Sequence, residues 1–371
     1  MDDVTRRSIR GQQIVLVLQG GGALGSYQAG VFQGLHEAGV EPDWVVGTSI
    51  GAINAALIAG NPPADRTERL SEFWTRVGCQ GLIDQRWSLA EFTSGITHLN
   101  TLVRGVPGFF ELNPLAAWGL QAAVGVERAA FYSTDPLKAT LRELVNFDHI
   151  DASDMRLTVG AVNVCTGNMK YFDSAHMPLR LEHVMASGAL PPAFPAVDVD
   201  GHPYWDGGVY SNTPVEVVLD DNPRRDSLIF AVNVWPPRGA APDSIWKVLG
   251  RQKDIQYASR VNSHVIRQEQ IHRLRHIIKE LSARLPEKER ADPRVQQMMA
   301  YGCHTTMHLV TLLAPRLEGD DYTKDIDFAE SSIRARWDAG YADVQRALEE
   351  QRWCRDVDPM TGVVVHEPTE P

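Results

Sequence analysis

The sequence predicts an α/β fold with a mainly parallel central sheet. A strand, a helix, a second strand and a second helix alternate within the first 60 residues. Such alternation requires parallel strands joined by right-handed crossovers. The first strand, Gln13–Leu18, is a nearly continuous apolar run, which is typical of a parallel strand covered on both faces. These two observations predict the fold class.

The remaining elements follow from hydrophobic periodicity along the chain. Further strands or extended segments are predicted at residues 44–46, 156–164, 169–172, 197–205, 227–235 and 308–313. Helices are predicted at residues 27–38, 52–60, 67–77, 181–187, 215–220, 243–285 and 327–352. Between residues 61 and 150 the pattern is less regular than elsewhere.

Bulk composition excludes several classes of protein. The net charge of −11, from 36 Lys and Arg against 47 Asp and Glu, argues against a nucleic-acid binder. No apolar run approaches the 18 or so residues of a membrane-spanning helix, and the N-terminus lacks a signal-peptide core. The four scattered cysteines fit reduced thiols. We therefore expect a cytoplasmic protein, with peripheral contact at a membrane left open.

The segment Gly47-Thr48-Ser49-Ile50-Gly51 reads G-x-S-x-G between a predicted strand and a predicted helix. In that context Ser49 is a candidate nucleophile, because Gly47 and Gly51 allow the sharp turn that exposes its hydroxyl. The following helix directs its positive dipole end at the site. The pattern alone also arises by chance, so it needs partners elsewhere in the chain.

A glycine cluster, Gly20-Gly21-Gly22-Ala23-Leu24-Gly25, follows the first strand and matches G-x-G-x-x-G. A dinucleotide site would need an acidic residue at the end of the second strand. Asp43 stands at its start instead, and Ser49 follows its end. We therefore favour an oxyanion hole formed by the amides of Gly20, Gly21 and Gly22, with Gly25 as a supporting residue.

Asp206-Gly207-Gly208 follows an extended segment and places a carboxylate beside two glycines. By itself it is best interpreted as a turn, since Asp-Gly is a common turn pair. A glycine loop, G-x-S-x-G and D-G-G in this order resemble the patatin-like phospholipases. Residues 186–195, which include Ala186, Ser187, Phe194 and several prolines, resemble a fourth block of that family.

The resemblance covers residues 13–235 and implies a three-layer α/β/α fold and lipid ester substrates. It also implies a Ser49–Asp206 dyad, with Ser49 as nucleophile and Asp206 as general base. A dyad requires no metal, and the sequence has no metal-ligand spacing such as H-E-x-x-H, so we expect neither metal nor cofactor. Leu24 departs from the Arg or Lys usual in the family, which puts a preference for anionic head groups in doubt. Residues 324–343 resemble an extension found in a bacterial subset of the family, with no assigned function.

Four divisions of the chain follow. We expect an N-terminal tail at 1–12 and a patatin-like catalytic domain at 13–235, whose irregular part, 61–150, is a candidate lid region. A mostly helical C-terminal extension packed on the core is expected at 236–355, and a tail at 356–371.

Several alternatives stay open on the sequence. A Ser-His-Asp triad could use His183 or His202, although ordinary structural histidines are favoured. The same dyad could serve an acyltransferase, a thioesterase or a hydroxyalkanoate esterase, and a non-catalytic lipid-binding or scaffold protein is the alternative from another class.

Two further surfaces are candidates for contacts. Within residues 96–130, Phe109, Phe110 and Trp118 could line a lid or acyl channel, or equally be core. The basic helix at 251–284 could touch lipid head groups or a second subunit of a homo-oligomer, although a solvated helix is favoured.

Overall fold

The structure is a computed structural model that describes residues 11–78, 105–119, 121, 123–358 and 360–367. For residues 117, 118 and 259–263 it describes the backbone alone. Most of the predicted N-terminal tail, residues 79–104 of the predicted lid region and the last four residues lie outside the described part.

Eleven strands and eleven α-helices form within the described residues. The strands are β1 Gln13–Leu18, β2 Trp44–Thr48, β3 Glu111–Leu112, β4 Tyr132–Ser133, β5 Arg156–Asn163, β6 Met169–Asp173, β7 Val197–Val199, β8 His202–Asp206, β9 Ser227–Asn233, β10 Met307–Leu313 and β11 Val363–His366. The helices are α1 Ser26–Glu37, α2 Ile50–Ala59, α3 Arg66–Val77, α4 Asp135–Leu144, α5 Phe147–Ala152, α6 Leu181–Ser187, α7 Val215–Leu219, α8 Ile245–Arg284, α9 Glu287–Arg290, α10 Pro293–Met299 and α11 Glu330–Glu350.

A nine-stranded sheet has the order β11-β10-β9-β1-β2-β5-β8-β7, with β6 also paired to β5. The six strands from β11 to β5 are parallel to one another, whereas β6, β7 and β8 pair antiparallel. In the register of the central pair, Leu18 lies opposite Gly47. The carboxyl ends of β1 and β2 therefore meet at one edge, which brings the glycine loop and the G-x-S-x-G turn together.

Helices cover both faces of this sheet. Alternate residues of β1 point to opposite sides, so Leu16 and Leu18 join the core cluster that includes Phe32 of α1. Val15 and Val17 join a second cluster that includes Val218 of α7 and Val265 of α8. The fold is thus a mainly parallel sheet between helical layers, as the sequence predicted.

The last long helix, α11, packs against α1 almost backbone to backbone. A Cβ atom on Gly340 would lie 2.1 Å from the carbonyl oxygen of Tyr27, and one on Gly30 would lie 1.9 Å from that of Trp337. The hydroxyl of Tyr27 donates a hydrogen bond to Asp343 at 2.7 Å. The C-terminal region is therefore joined closely to the helical layer that carries α1.

Three sequence predictions about the elements are wrong. The tail expected from residue 356 contains β11, whose Val363 is buried opposite Met307 of β10. The extended segment at 197–205 is a hairpin, because Asp200 and Gly201 both adopt positive φ and turn the chain. The irregular stretch at 61–150 contains α4 and α5 in addition to α3.

The mostly helical extension expected at 236–355 also supplies β10 to the central sheet. The boundary at residue 235 itself stays a prediction. Within the described part, none of the helices combines the length and apolar character that crossing a bilayer requires.

Candidate active site

Ser49 stands between β2 and α2 in a strained conformation. Its φ of 58° and ψ of −126° lie in a region that side chains other than glycine rarely adopt, and such strain costs about 1–3 kcal/mol. The Ser49 amide donates to Oγ of Ser187 at 3.1 Å, and Ser187 Oγ donates to the Gly160 carbonyl at 2.6 Å. This chain of hydrogen bonds ties the turn to β5 and fixes the direction of the Ser49 side chain.

The two glycines of the turn leave no room for larger residues. A Cβ atom on Gly47 would lie 2.3 Å from the carbonyl oxygen of Gly51, and one on Gly51 would lie 2.2 Å from that of Leu18. The turn therefore packs directly against the end of β1. The local geometry is the sharp strand-to-helix turn that the G-x-S-x-G spacing predicted. The role of Ser49 as a nucleophile stays a prediction.

Asp206 ends β8 and is 1% exposed. Its Oδ1 accepts a hydrogen bond of 2.6 Å from the Gly208 amide. Its Oδ2 is buried, and the Ser49 hydroxyl is the side-chain group that acts on this carboxylate. Burial raises the pKa of Asp206 to about 7, against opposing contributions from the Ser49 hydroxyl and the Gly208 amide. A buried carboxylate beside a serine hydroxyl, with a pKa near 7, is suited to act as a base near neutral pH.

The glycine loop differs from the prediction at one position. The Gly20 amide donates to the Asn212 carbonyl at 3.1 Å and is not available to a substrate. The Gly20 carbonyl accepts from Asn212 Nδ2 at 3.0 Å and from Trp235 Nε1 at 2.8 Å. Within the described residues, the amides of Gly21 and Gly22 have no acceptor. These two amides, and not all three, are the candidate oxyanion donors.

Leu24, where the family usually has a cation, lies in the 3₁₀ turn Gly22–Gly25. Its side chain is 3% exposed and belongs to the core cluster on the α1 face of the sheet. It therefore contributes packing and no charge to the site.

Ser49 and Asp206 line a cavity of about 170 Å³. Its other lining residues are Gly20, Gly21, Gly22, Ile50, Ile53, Phe109, Phe110, Tyr132, Gly188, Leu190, Ala193, Phe194, Gly208, Asn212, Trp235, Tyr257, Asp325, Ile326 and Phe328. Most of these residues are apolar or aromatic, so the space beside Ser49 suits a hydrocarbon chain better than a polar group.

Phe109 and Phe110 are at once core residues and cavity residues. Both are buried, and their rings lie 6.1 Å and 5.3 Å from the ring of Phe194. A role as an acyl channel stays a prediction, as does any movement as a lid. The side chain of Trp118 lies outside the described part of the structure.

The two histidines considered for a triad lie elsewhere. His183 is buried in α6, its Nδ1 accepts from the Arg180 amide at 2.9 Å, and its ring lies 4.4 Å from that of Phe172. Burial lowers the pKa of His183 to about 4, so the ring is neutral at physiological pH. His202 is exposed at the start of β8. Of the described residues that line the cavity, none is a histidine.

Sequence reasoning missed several residues of the site. Ser187 and Phe194 belong to the fourth block and could have been found through it. Tyr257, Asp325 and Phe328 come from the C-terminal region, and no local pattern marks them as neighbours of Ser49. No group of His, Cys, Asp or Glu side chains in the described part is arranged to hold a metal ion.

Comparison with known families identifies the chain. A family model described as patatin-like phospholipase matches residues 16–219, which is more than half of the sequence. The chain belongs to the patatin-like phospholipase family. A second family model, described as patatin phospholipase, matches residues 255–360. The two matches confirm the family that was predicted from the four motifs.

Individual relatives match different lengths of the chain. Patatin-like phospholipase domain-containing protein 6 of Mus musculus is 46% identical over 70 residues, which are 19% of this chain and 5% of the relative. Lysophospholipase NTE1 of Cryptococcus neoformans is 27% identical over 237 residues, 62% of this chain and 12% of the relative. The chain thus spans only a small part of the length of these patatin-like relatives.

Solved structures show weaker likeness. VipD from Legionella pneumophila aligns over 92% of this chain and 67% of its own, with a TM-score of 0.38 and 14% identity. The type III effector protein ExoU aligns over 92% of this chain and 53% of its own, with a TM-score of 0.32 and 14% identity.

Proposed function

We propose that this protein is a serine hydrolase that cleaves lipid carboxylic esters with a Ser49–Asp206 dyad. The observation that carries the proposal is the pairing of a strained serine elbow with a buried aspartate whose pKa is raised to about 7. Membership of the patatin-like phospholipase family supports the same chemistry.

In the proposed reaction, Oδ2 of Asp206 takes the Ser49 proton while Ser49 Oγ attacks the ester carbonyl. The raised pKa makes this carboxylate a stronger base than an exposed aspartate. The Gly21 and Gly22 amides donate to the oxyanion, and one such donor is worth about 3–4 kcal/mol in related sites. The dipole of α2 lowers the cost of the negative charge that develops beside Ser49.

The tetrahedral intermediate then collapses, and the leaving alcohol takes the proton from Asp206. Ser49 is left as an acyl ester. A water molecule gives its proton to Asp206 and attacks this ester, and the fatty acid departs as Ser49 regains its proton. Asp206 therefore acts as the base in both half-reactions and returns its proton at the end of each.

The apolar cavity supports a substrate with a hydrocarbon chain, of the phospholipase A or lysophospholipase type. One relative carries the name lysophospholipase, in agreement with this substrate class. We further propose that the protein works in the cytoplasm and meets lipid by transient contact with a membrane surface. Co-sedimentation with phosphatidylcholine vesicles tests that contact.

The deciding experiment compares variants in ester hydrolysis. Ser49→Ala and Asp206→Asn should lose nearly all activity, and Ser49→Ala should also lose labelling by a fluorophosphonate probe. His183→Ala and His202→Ala should keep most activity, as should Asp200→Asn, an exposed aspartate that serves as the matched control. A folded histidine variant that falls as far as Ser49→Ala would reject the dyad.

Product analysis separates the other interpretations. Free fatty acid from phospholipid supports the hydrolase, whereas transfer of the acyl group to an added alcohol or thiol supports an acyltransferase. A preference for thioesters or hydroxyalkanoates would change the proposed substrate class and leave the proposed Ser49–Asp206 dyad unchanged. A wild-type protein that neither hydrolyses any ester nor reacts with the fluorophosphonate would instead support a lipid-binding or scaffold role.

A further inference from the structure

The segment Thr323–Phe328, here called the C-terminal strap, forms one wall of the cavity beside Ser49. Asp325, Ile326 and Phe328 all line that cavity. The strap lies outside the first family match, which ends at residue 219, and inside the second match, at residues 255–360. We propose that the strap is a working part of the active site and that Phe328 limits the length of acyl chain that Ser49 accepts. This inference rests on the function proposed above.

The strap touches the glycine loop directly. A Cβ atom on Gly22 would lie only 2.2 Å from the Asp325 carbonyl oxygen, so the two backbones are in contact. Gly22 also adopts a positive φ of 57°, which favours glycine. The strap therefore packs directly on the loop that supplies the candidate oxyanion donors, and the loop cannot move toward the strap without displacing it.

Two ion pairs fasten the strap to α8. Lys324 Nζ lies 2.6 Å from Oδ1 of Asp254, and both side chains are buried, with 7% and 1% exposed. Lys253 Nζ lies 2.8 Å from Oδ1 of Asp325. Moving the strap would leave the buried Lys324 ammonium without its carboxylate, although Asp254 would keep its pair with Arg316. The arrangement therefore favours this position of the strap.

A second route links the same lysine to the glycine loop. The Lys324 ammonium lies 5.1 Å from the centre of the Trp235 ring, within reach of a cation–π interaction. Trp235 Nε1 donates to the Gly20 carbonyl. The C-terminal strap thus contacts the glycine loop in two ways, directly at Gly22 and indirectly through Trp235.

Phe328 stands at the end of this fixed segment and is 2% exposed. Its ring lies 5.6 Å from that of Phe109, which in turn packs on Phe194. These three rings share one apolar part of the cavity. The whole cavity, about 170 Å³, is smaller than the 300–1,000 Å³ typical of ligand sites. A rigidly placed ring in so small a space limits how far an acyl chain can extend.

The test measures kcat/KM for p-nitrophenyl butyrate and p-nitrophenyl palmitate. In Phe328→Ala the ratio of palmitate to butyrate activity should rise by about tenfold or more over wild type, because a pocket discriminates by 10-fold or more for even one methylene. The matched control is Phe230→Ala. Phe230 is equally buried but packs on Trp353, outside the cavity, so this variant should lose stability with no change in the ratio.

A milder variant covers the case in which Phe328→Ala does not fold. Phe328→Leu keeps most of the packing and should shift the ratio in the same direction by a smaller factor. An unchanged ratio in a folded Phe328 variant, with the fluorophosphonate still labelling Ser49, would overturn the inference and leave the proposed function intact. A wild-type protein that shows neither fluorophosphonate labelling nor ester hydrolysis would instead contradict the proposed function itself.

Discussion

Asp206→Asn should stabilise the fold above neutral pH while it abolishes activity. The introduced amide keeps an oxygen for the Gly208 amide, so the hydrogen bond made by Oδ1 of Asp206 is preserved in the variant. The change removes a carboxylate that burial makes reluctant to ionise, since the pKa of Asp206 rises from 3.8 to about 7 on folding. Three pKa units of difference correspond to about 4 kcal/mol at most.

The direction of the pH dependence follows from which state binds the proton. Below pH 4 the aspartate is protonated in both states, and ionisation imposes no cost on the fold. Between pH 4 and pH 7 the unfolded chain ionises while the folded protein retains the proton, so stability falls as pH rises. Above pH 7 the whole cost applies. The asparagine variant carries no such cost at any pH.

The assay is urea unfolding of both proteins at pH 5, 6, 7 and 8. The advantage of Asp206→Asn in free energy of unfolding should grow with pH toward about 4 kcal/mol. Asp200→Asn is the control, because Asp200 is exposed and its pKa is lowered by Arg180 instead of raised. An advantage that stays constant with pH, or a variant less stable than wild type at pH 8, would refute the reasoning.

Three more predictions follow from the same geometry. If Asp206 is the base, kcat/KM should fall about tenfold per pH unit below pH 7 and level off above it, as a pH–rate profile would show. Gly51→Ala should lower kcat at least tenfold in steady-state assays, because its Cβ would lie 2.2 Å from the Leu18 carbonyl oxygen. Gly340→Ala should lower the melting temperature by several degrees in calorimetry, since its Cβ would lie 2.1 Å from the Tyr27 carbonyl oxygen. An unchanged melting temperature in Gly340→Ala would contradict the close contact between α11 and α1.

Local sequence patterns mark two candidate residues of the site, whose catalytic roles stay predictions. Ser49 stands where a buried strand turns into a helix, and Asp206 stands beside two glycines, so each has a signature within a few residues. The parallel core strands could also be predicted from the sequence, because burial on both faces requires a continuous apolar run such as Gln13–Leu18.

The sequence predictions that failed concern features that depend on residues far apart along the chain. The Gly20 amide is taken by the carbonyl of Asn212, a partner 192 positions away that no spacing rule identifies. The strand Val363–His366 is four residues long in a polar stretch, and only its pairing with β10 makes it a strand. Phe328 reaches the cavity through the tertiary path of the C-terminal region.

The position of β10 and β11 also determines which strand lies at the edge of the central sheet. All seven residues of β9 are buried, and β10 pairs with it along its full length. Without β10, this buried and mostly apolar strand would expose unpaired N–H and C=O groups, which act as a template for edge-to-edge aggregation. A chain ended after residue 235 would therefore be expected to self-associate through β9. The C-terminal region therefore covers an edge of β9 that would otherwise be open to pairing with another chain.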